Sequence, residues 1–332
     1  MRIFRGKALK LDTLIDRYRL SNTADGKSPK TIEWYDAMLL AYSRYAEQTF
    51  GNNSLNHLKR DDVRGYILYL REKTRFQNHP HNHSDSQHLS SRTIQGHIRT
   101  LKAFSTWVFE EGYTSENVLK DLKLPKAAAT IIEPLSKEEI ARIFSSIDVK
   151  TSIGMRDHTI LAIFLDTGLR ASELANIRMD HISLETGLIK VMGKGSRERI
   201  VPIGKFVQLT LLEYIERVRP GLGQTDTDYL FLSSGGKPLS VNTVKLLFQR
   251  LKRSTGISKL HAHLCRHTFA INYLMNGGDI FSLKEILGHR SLDMVNHYLH
   301  FTSHQIAIQH HKFSPMDRLR DSINTTRSLV NR

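Results

Sequence analysis

Apolar side chains recur at three- and four-residue spacing through most of this 332-residue chain, and that spacing is typical of amphipathic helices. One stretch departs from it. Two short runs of alternating apolar residues, 188–192 and 199–203, flank the sequence Gly193-Lys194-Gly195-Ser196, a pattern typical of a β-hairpin. We therefore predict a mainly α protein with a small antiparallel β-sheet.

The first third of the chain contains three predicted helices. Ser28 is a predicted N-cap, and Pro29 follows it at the first helical position. Asp61 and Ser91 are predicted to cap two further helices. The polar segment 76–88 has no periodicity, so we predict a solvated loop there, with adventitious metal binding by its histidines as the alternative. The third helix carries an apolar stripe made of Ile94, Ile98, Leu101, Phe104 and Val108.

Residues 121–135 divide the chain into two predicted domains. This segment combines lysines, small residues and prolines and has no helical stripe, so we interpret it as a linker. Ser136 and Glu139 then form a capping box that opens a new helix. The predicted organisation is a helical domain over 1–120 and a mixed α/β domain over 136–312.

Charge and cysteine content limit the classes of function. The chain has 48 Lys and Arg against 33 Asp and Glu, a net charge of +15, and the excess lies in both predicted domains. This favours a polyanionic partner, although a basic protein without a nucleic-acid role remains the alternative. A single cysteine, Cys265, excludes an intrachain disulfide. With neither a signal-peptide pattern nor an apolar run of membrane-spanning length, we expect a soluble, cytoplasmic protein.

Two basic side chains stand next to turns. Arg170 follows a predicted buried helix (158–169), and Glu173 lies one helical turn further on. A guanidinium can hold two phosphate oxygens, and the carboxylate can hold the guanidinium; a weak surface ion pair is the alternative. Lys194 lies between two glycines at the predicted hairpin tip, where it would act as an acid or simply be a solvated lysine.

A second basic cluster lies on one predicted helix. His263, Arg266 and His267 share one helical face because they are three and four residues apart. A zinc site made of His263, Cys265 and His267 is the alternative, and we disfavour it because Cys265 points away from that face.

The last chemically suggestive segment places Tyr298 nine residues after His289. A tyrosine in isolation is usually an amphipathic core residue. The whole stretch 263–300 also fits a helix-turn-helix, a DNA reader without catalysis.

Together, and in this order, these segments resemble the tyrosine recombinase (phage integrase) family, which includes lambda-type integrases and the Xer recombinases. The resemblance covers 136–312 closely, and 8–115 through helix pattern alone. Cys265 stands where leucine is common in the family. The matching residues are Gly168-Leu169-Arg170-Ala171-Ser172-Glu173-Leu174, Gly193-Lys194-Gly195 with Arg199 and Pro202 downstream, His263 with Arg266 and His267, Leu287-Gly288-His289, and Tyr298.

The resemblance implies an enzyme that cuts and rejoins DNA at specific sites. Tyr298 would attack a scissile phosphodiester, giving a 3′-phosphotyrosyl bond and a free 5′-hydroxyl, so that rejoining needs no ATP. Lys194 would protonate the leaving 5′-oxygen, and His263 would assist removal of the tyrosine proton.

The remaining residues of the implied site face the phosphate. Arg170 and Arg266 would hold its non-bridging oxygens, and His289 would form a hydrogen bond to it. Glu173 and His267 are supporting residues. Because the arginines supply the charge that a metal often supplies, neither a metal nor a cofactor is expected.

The resemblance also implies how the protein assembles. Double-stranded DNA would be clamped between a core-binding domain (1–120) and a catalytic domain (136–312). Four copies would act on two DNA sites, with the tail 313–332 either contacting a neighbouring copy or fraying. Accessory DNA-bending or directionality proteins would be further partners. No interaction with a membrane is expected.

We expect the biological role to be integration or excision of a mobile element. Xer-type chromosome or plasmid dimer resolution is the alternative within the family. A non-catalytic DNA-binding regulator and a type IB topoisomerase-like enzyme are alternatives from other classes. The topoisomerase would relax supercoils as a monomer without specific sites.

Overall fold

The computed structural model of the chain describes residues 9–74, 88–126, 132–193, 198–223, 227–289, 291–292, 310–316 and 319. The chain divides into two compact units, Met1–Thr130 and Ile131–Arg332, and the boundary lies inside the segment that we interpret as a linker. Most described residues are helical, and a three-stranded antiparallel sheet accompanies them. The predicted fold class is thus confirmed.

The first unit is a cluster of four described helices. Ser28 caps the second of them as predicted: its hydroxyl accepts a hydrogen bond from the Thr31 N–H, and Pro29 is the first helical residue. Side chains from all four helices meet in one core, in which Leu14, Tyr42, Tyr66 and Phe104 are at most 1% exposed. The helices are α1 (Leu11–Ala24), α2 (Pro29–Phe50), α3 (Arg60–Glu72) and α4 (Ser91–Glu110).

Three details of this unit differ from the predictions. Helix α1 was not predicted; its N-cap, Lys10, makes no side-chain cap hydrogen bond, so the usual start signal is missing. Asp61 does not cap α3, because Lys59 occupies that position and Asp61 lies in the first turn. Helix α4 is capped by Ser90 and not by Ser91. The predicted loop 76–88 lies outside the described residues except for His88.

The second unit surrounds one buried helix, α6. Helix α6 contains the stretch predicted to be apolar on all sides (158–169) up to its end at Thr167, and it packs against α8 and α10. Ile160, Leu161, Ile163 and Phe164 on it are fully buried. The helices are α5 (Lys137–Ser145), α6 (Ser152–Thr167), α7 (Ala171–Ala175), α8 (Lys205–Glu213), α9 (Val241–Thr255), α10 (Ala262–Met275) and α11 (Ile280–Leu287).

The sheet contains the predicted hairpin. Its strands are β1 (Ile182–Ser183), β2 (Leu188–Met192) and β3 (Glu198–Pro202), in the order β1-β2-β3. Ile189 pairs with Val201, and Val191 pairs with Arg199. Since alternate residues share a face, Arg199 lies on the face that buries Ile189, Val191 and Val201.

One further prediction concerns this unit. The capping box that opens α5 is present, with Ser136 and Glu139 bonding reciprocally. Among the described helices, none is long and apolar enough to cross a membrane.

Candidate active site

The turn that presents Arg170 is formed by the end of α6. Gly168 ends that helix with φ of 63°, and Arg170 begins α7 two residues later. A Cβ on Gly168 would lie 2.6 Å from Phe269 Cδ1 and 2.8 Å from Leu287 Cδ2, so both the backbone conformation and the close packing require glycine here. The turn leaves the side chain of Arg170 38% exposed. Its guanidinium is therefore accessible to a ligand.

Glu173 is a buried carboxylate, 3% exposed, that accepts from two arginines. Its Oε1 accepts from the Arg170 guanidinium at 2.7 Å, and its Oε2 accepts from the Arg170 backbone N–H at 2.9 Å. Burial of the carboxylate works against ionisation, but hydrogen bonds and charge from Arg199, together with those from Arg170, outweigh it and lower its pKa. Glu173 is thus an ionised support that orients Arg170.

The second arginine is Arg199, which has no predicted role in the site beyond its place downstream of Gly193-Lys194-Gly195 in the family pattern. Its two terminal nitrogens donate to the two oxygens of Glu173, each at 2.9 Å, and its Nε donates to the Ile286 carbonyl at 2.8 Å. The side chain is 13% exposed. An arginine at an inward-facing strand position is the sequence signal that could have identified it, because such a charge requires a buried partner.

Arg266 is almost completely buried, at 1% exposed. It donates to the carbonyls of Gly168 and Leu287, both at 2.7 Å, and to His289 Nε2 at 2.8 Å. These carbonyls lie at the C-terminal ends of α6 and α11, where the helix dipole is negative and favours a cation. Arg266 therefore joins two helix ends and His289 in one cluster.

His289 is 8% exposed, and its pKa is lowered to about 4. Burial is the largest cause, followed by the charges of Arg266, Arg170, Arg199 and His263. Because a guanidinium can only donate, Nε2 of His289 accepts, which places the proton of the neutral ring on Nδ1. The neutral imidazole therefore carries its N–H on Nδ1.

The histidines of α10 have different surroundings. His263 is exposed, and partial burial, then the charge of Arg266, lowers its pKa. His267 is 9% exposed, and its Nε2 bonds the Ile132 carbonyl at 2.7 Å, so this bond holds the segment before α5. Cys265 is fully buried in the core, which raises its pKa to about 12. Among the described residues, no three His, Cys, Asp or Glu side chains are grouped so that they could hold a metal ion.

The structure brings together Arg170, Glu173, Arg266 and His289. Lys194 and Tyr298 lie outside the described residues. With Arg199, the cluster contains three guanidiniums and one carboxylate, so its net charge is positive. Arginine forks bind planar or tetrahedral oxyanions in two-point contacts, and phosphate is such an anion.

Comparison with known proteins defines the class. Residues 133–305 match the model of the phage integrase family, and the chain belongs to that family. It is similar to tyrosine recombinase XerC of Oceanobacillus iheyensis (30% identical, covering 92% of this chain and 96% of that protein). It is also similar to tyrosine recombinase XerD of Listeria monocytogenes (29% identical, covering 87% of this chain and 94% of that protein).

Solved structures share the fold. The Tn1549 transposon integrase in complex with transposon right end DNA matches with a TM-score of 0.73 at 21% identity, over 92% of this chain and 100% of that one. The XerH site-specific recombinase bound to a palindromic difH substrate matches with a TM-score of 0.68 at 20% identity, over 92% of this chain and 84% of that one. The chain is accordingly a tyrosine recombinase, a site-specific DNA recombinase that acts through a phosphotyrosine intermediate.

Proposed function

We propose that this chain cleaves and rejoins double-stranded DNA with Tyr298 as nucleophile and with Arg170, Arg266 and His289 as the phosphate-binding groups. The observation that supports this assignment is the convergence of donors from three chain segments. Arg266 bonds both the turn that carries Arg170 and the ring of His289. A phosphate at this cluster would meet two guanidiniums and one imidazole N–H.

In the proposed reaction, the Tyr298 hydroxyl oxygen attacks phosphorus and the bond from phosphorus to the 5′-oxygen breaks. The tyrosine proton passes to His263, whose lowered pKa keeps its ring neutral and able to accept it. Lys194 donates a proton to the departing 5′-oxygen. The 3′-phosphotyrosyl bond conserves the energy of the phosphodiester, and a 5′-hydroxyl that attacks it reverses each step.

The arginines stabilise the transition state. Negative charge builds up on the non-bridging oxygens of a pentacoordinate phosphorus, and in this proposal Arg170 and Arg266 neutralise it. Arg266 is already held by two carbonyls and a ring nitrogen, so it needs little reorganisation when the phosphate arrives. Glu173 aligns Arg170, and His267 links α10 to the segment before α5.

For the assembly, we propose that the core-binding domain (1–120) and the catalytic domain (136–312) both bind the duplex, and that four copies act on two sites. The net charge of +15 supports a DNA partner. In the tail, Phe313, Met316 and Leu319 are 49%, 63% and 50% exposed at a spacing of three, which supports a contact with a neighbouring copy. Accessory DNA-bending or directionality proteins belong to the same proposal.

For the biological role, we propose integration or excision of a mobile element, on the strength of the unusual His-rich segment 76–88. Xer-type dimer resolution is a second candidate, and the names of the sequence relatives, XerC and XerD, favour it. Recombination between two directly repeated copies of the site on one plasmid measures resolution. Recombination of a circular element with a target plasmid measures integration.

The decisive experiment traps the covalent intermediate. The full chain first selects its binding site from a random duplex pool and from DNA flanking its gene. A duplex that carries this site, nicked so that the short fragment with the new 5′-hydroxyl is lost after cleavage, is then incubated with the protein in EDTA. We expect a protein–DNA adduct with the wild type and none with Tyr298→Phe.

The matched control is Tyr273→Phe, a tyrosine of α10 in the same unit, which should still form the adduct. An adduct that persists in Tyr298→Phe would contradict the assignment of the nucleophile. A complete lack of adduct in the wild type, or a strict need for a divalent metal, would contradict the proposed mechanism.

A further inference from the structure

Arg199 links three parts of the second unit that the proposed mechanism uses separately. The residue is the second of β3, the strand that follows Lys194 in the sequence. Its fork grips both oxygens of Glu173, and Glu173 in turn holds Arg170. Its Nε bonds the carbonyl of Ile286, near the end of α11 and three residues before His289. One side chain thus ties the hairpin, the Arg170 turn and the end of α11 together.

The surroundings of Arg199 are shaped for a guanidinium. Gly288 ends α11 with φ of 62°, and a Cβ there would lie 3.1 Å from Arg199 Cδ and 3.2 Å from its Nε. The side chain therefore passes directly over this glycine. A lysine in the same place would keep the charge but offer a single nitrogen, so it could not donate to two carboxylate oxygens and a carbonyl in this geometry.

The charge of Arg199 matters as well as its shape. Glu173 is a buried carboxylate next to the proposed phosphate site, and the described charged groups that act on it are Arg199 and Arg170. If Arg199 is removed, Glu173 pairs with Arg170 alone and draws its guanidinium away from the phosphate. The net charge of the site also falls by one.

We propose that Arg199 is a positioning residue for DNA cleavage, which orients Arg170 through Glu173 and fixes the end of α11 that leads to His289. This inference rests on the proposed function of the site. Arg199 itself does not touch the phosphate in this scheme, because its Nε and both terminal nitrogens donate to Ile286 and Glu173.

The test compares Arg199→Gln and Arg199→Lys with the wild type in single-turnover adduct formation on the nicked duplex described above. A misplaced catalytic group costs about 100-fold in rate, so we expect a loss of about that size for Arg199→Gln. Arg199→Lys keeps the charge without the fork, and we expect about a tenfold loss. The affinity for the intact duplex should stay within about threefold, since the guanidinium does not contact the phosphate.

A pH profile separates positioning from a purely structural role. Arg199 lowers the pKa of Glu173, and it contributes to the low pKa of His289 after burial, Arg266 and Arg170. In Arg199→Gln both groups therefore take up protons at higher pH. The acid limb of the rate profile should move to higher pH in Arg199→Gln and stay near its wild-type position in Arg199→Lys.

Arg156→Lys is the matched control. Arg156 is a buried arginine of the same unit that bonds one carboxylate, Asp157, and one carbonyl, that of Leu232, away from the site. The Arg156→Lys variant should be less stable than the wild type, but its folded fraction should cleave DNA at the wild-type rate. An equal loss of rate in Arg156→Lys would show that Arg199 acts only through general stability.

A double variant tests the route through Glu173. Arg199→Gln combined with Glu173→Gln should lose much less than the product of the two single losses, because the two residues act through one link. The inference would be overturned if the rate loss of the double variant equals the product of the two single losses, or if the rate of Arg199→Gln stays within about threefold of the wild type. Either result would leave the proposed function intact. A wild type that forms no Tyr298-dependent adduct would overturn both.

Discussion

Replacement of Gly168 by alanine should lower the free energy of unfolding for two reasons, one in the backbone conformation and one in the packing. The residue has φ of 63°, and an added Cβ would lie 2.6 Å from Phe269 and 2.8 Å from Leu287. The left-handed conformation costs an alanine about 1–2 kcal/mol, and forcing a methyl group into a packed site costs about 1–3 kcal/mol. Part of this is offset, because alanine reduces the entropy of the unfolded chain by about 0.4–1 kcal/mol. We expect a net destabilisation of about 2–4 kcal/mol.

Gly256→Ala supplies the control for the backbone term. Gly256 ends α9 with φ of 72°, and nothing lies within 4 Å of its Cβ position. Denaturant unfolding of the two variants should therefore differ by about 1–3 kcal/mol, the overpacking term alone. If the two variants lose the same stability, the packing of Phe269 and Leu287 around Gly168 adapts freely and our reasoning fails. The cleavage rate should fall only in Gly168→Ala, because its carbonyl holds Arg266.

Three further outcomes follow from the described contacts. Gly288→Ala should slow adduct formation by about tenfold while leaving DNA affinity unchanged, because its methyl group displaces Arg199, and an unchanged rate would contradict this. His97, buried beside Tyr66, has its pKa lowered to about 4 by burial first and then by Lys73. As the pH falls, His97 takes up a proton in the unfolded chain before it does so in the folded protein. The free energy of unfolding should therefore fall as the pH drops from about 6.5 to 4, and His97→Gln should flatten that slope in acid titrations. Cys265, fully buried with its pKa raised to about 12, should resist alkylation until the protein unfolds, and rapid labelling of the native chain would refute this.

The local signals in the sequence predicted local structure well. Ser28 with Pro29, and Ser136 with Glu139, begin helices where their side chains can satisfy free N–H groups. The hairpin followed from alternation on both sides of a glycine-flanked turn. These features depend on residues within a few positions of each other, so a single sequence contains the information.

The missed elements lacked such a local signal. The N-cap residues of α1 and α3 are Lys10 and Lys59, and neither makes a side-chain cap hydrogen bond, so the prediction of Asp61 as the cap of α3 is wrong. Helix α1 is held mainly by its buried apolar face, with Leu14 and Tyr18 in the core of the first unit. Its stability therefore comes from tertiary packing, which the sequence shows only as a spacing.

Within the site, the sequence identified residue types but not their connections. The pairing of Glu173 with Arg170 was predictable because they are three residues apart. The pairing of Glu173 with Arg199 joins residues 26 positions apart on different elements, and no local rule predicts it. Likewise, the contact of His267 with Ile132 depends on how the segment before α5 returns to α10.

The burial of Arg266 has a genetic consequence. This guanidinium closes two helix ends as well as facing the site, and truncating it would leave the carbonyls of Gly168 and Leu287 without their buried donor. Loss-of-function alleles at Arg266 should therefore lower the cellular abundance of the protein, because unfolded chains are degraded. Alleles at the half-exposed Arg170 should instead accumulate as intact, inactive copies, which in the proposed four-copy assembly would join active ones. The first class would be recessive, and the second would interfere with the wild type.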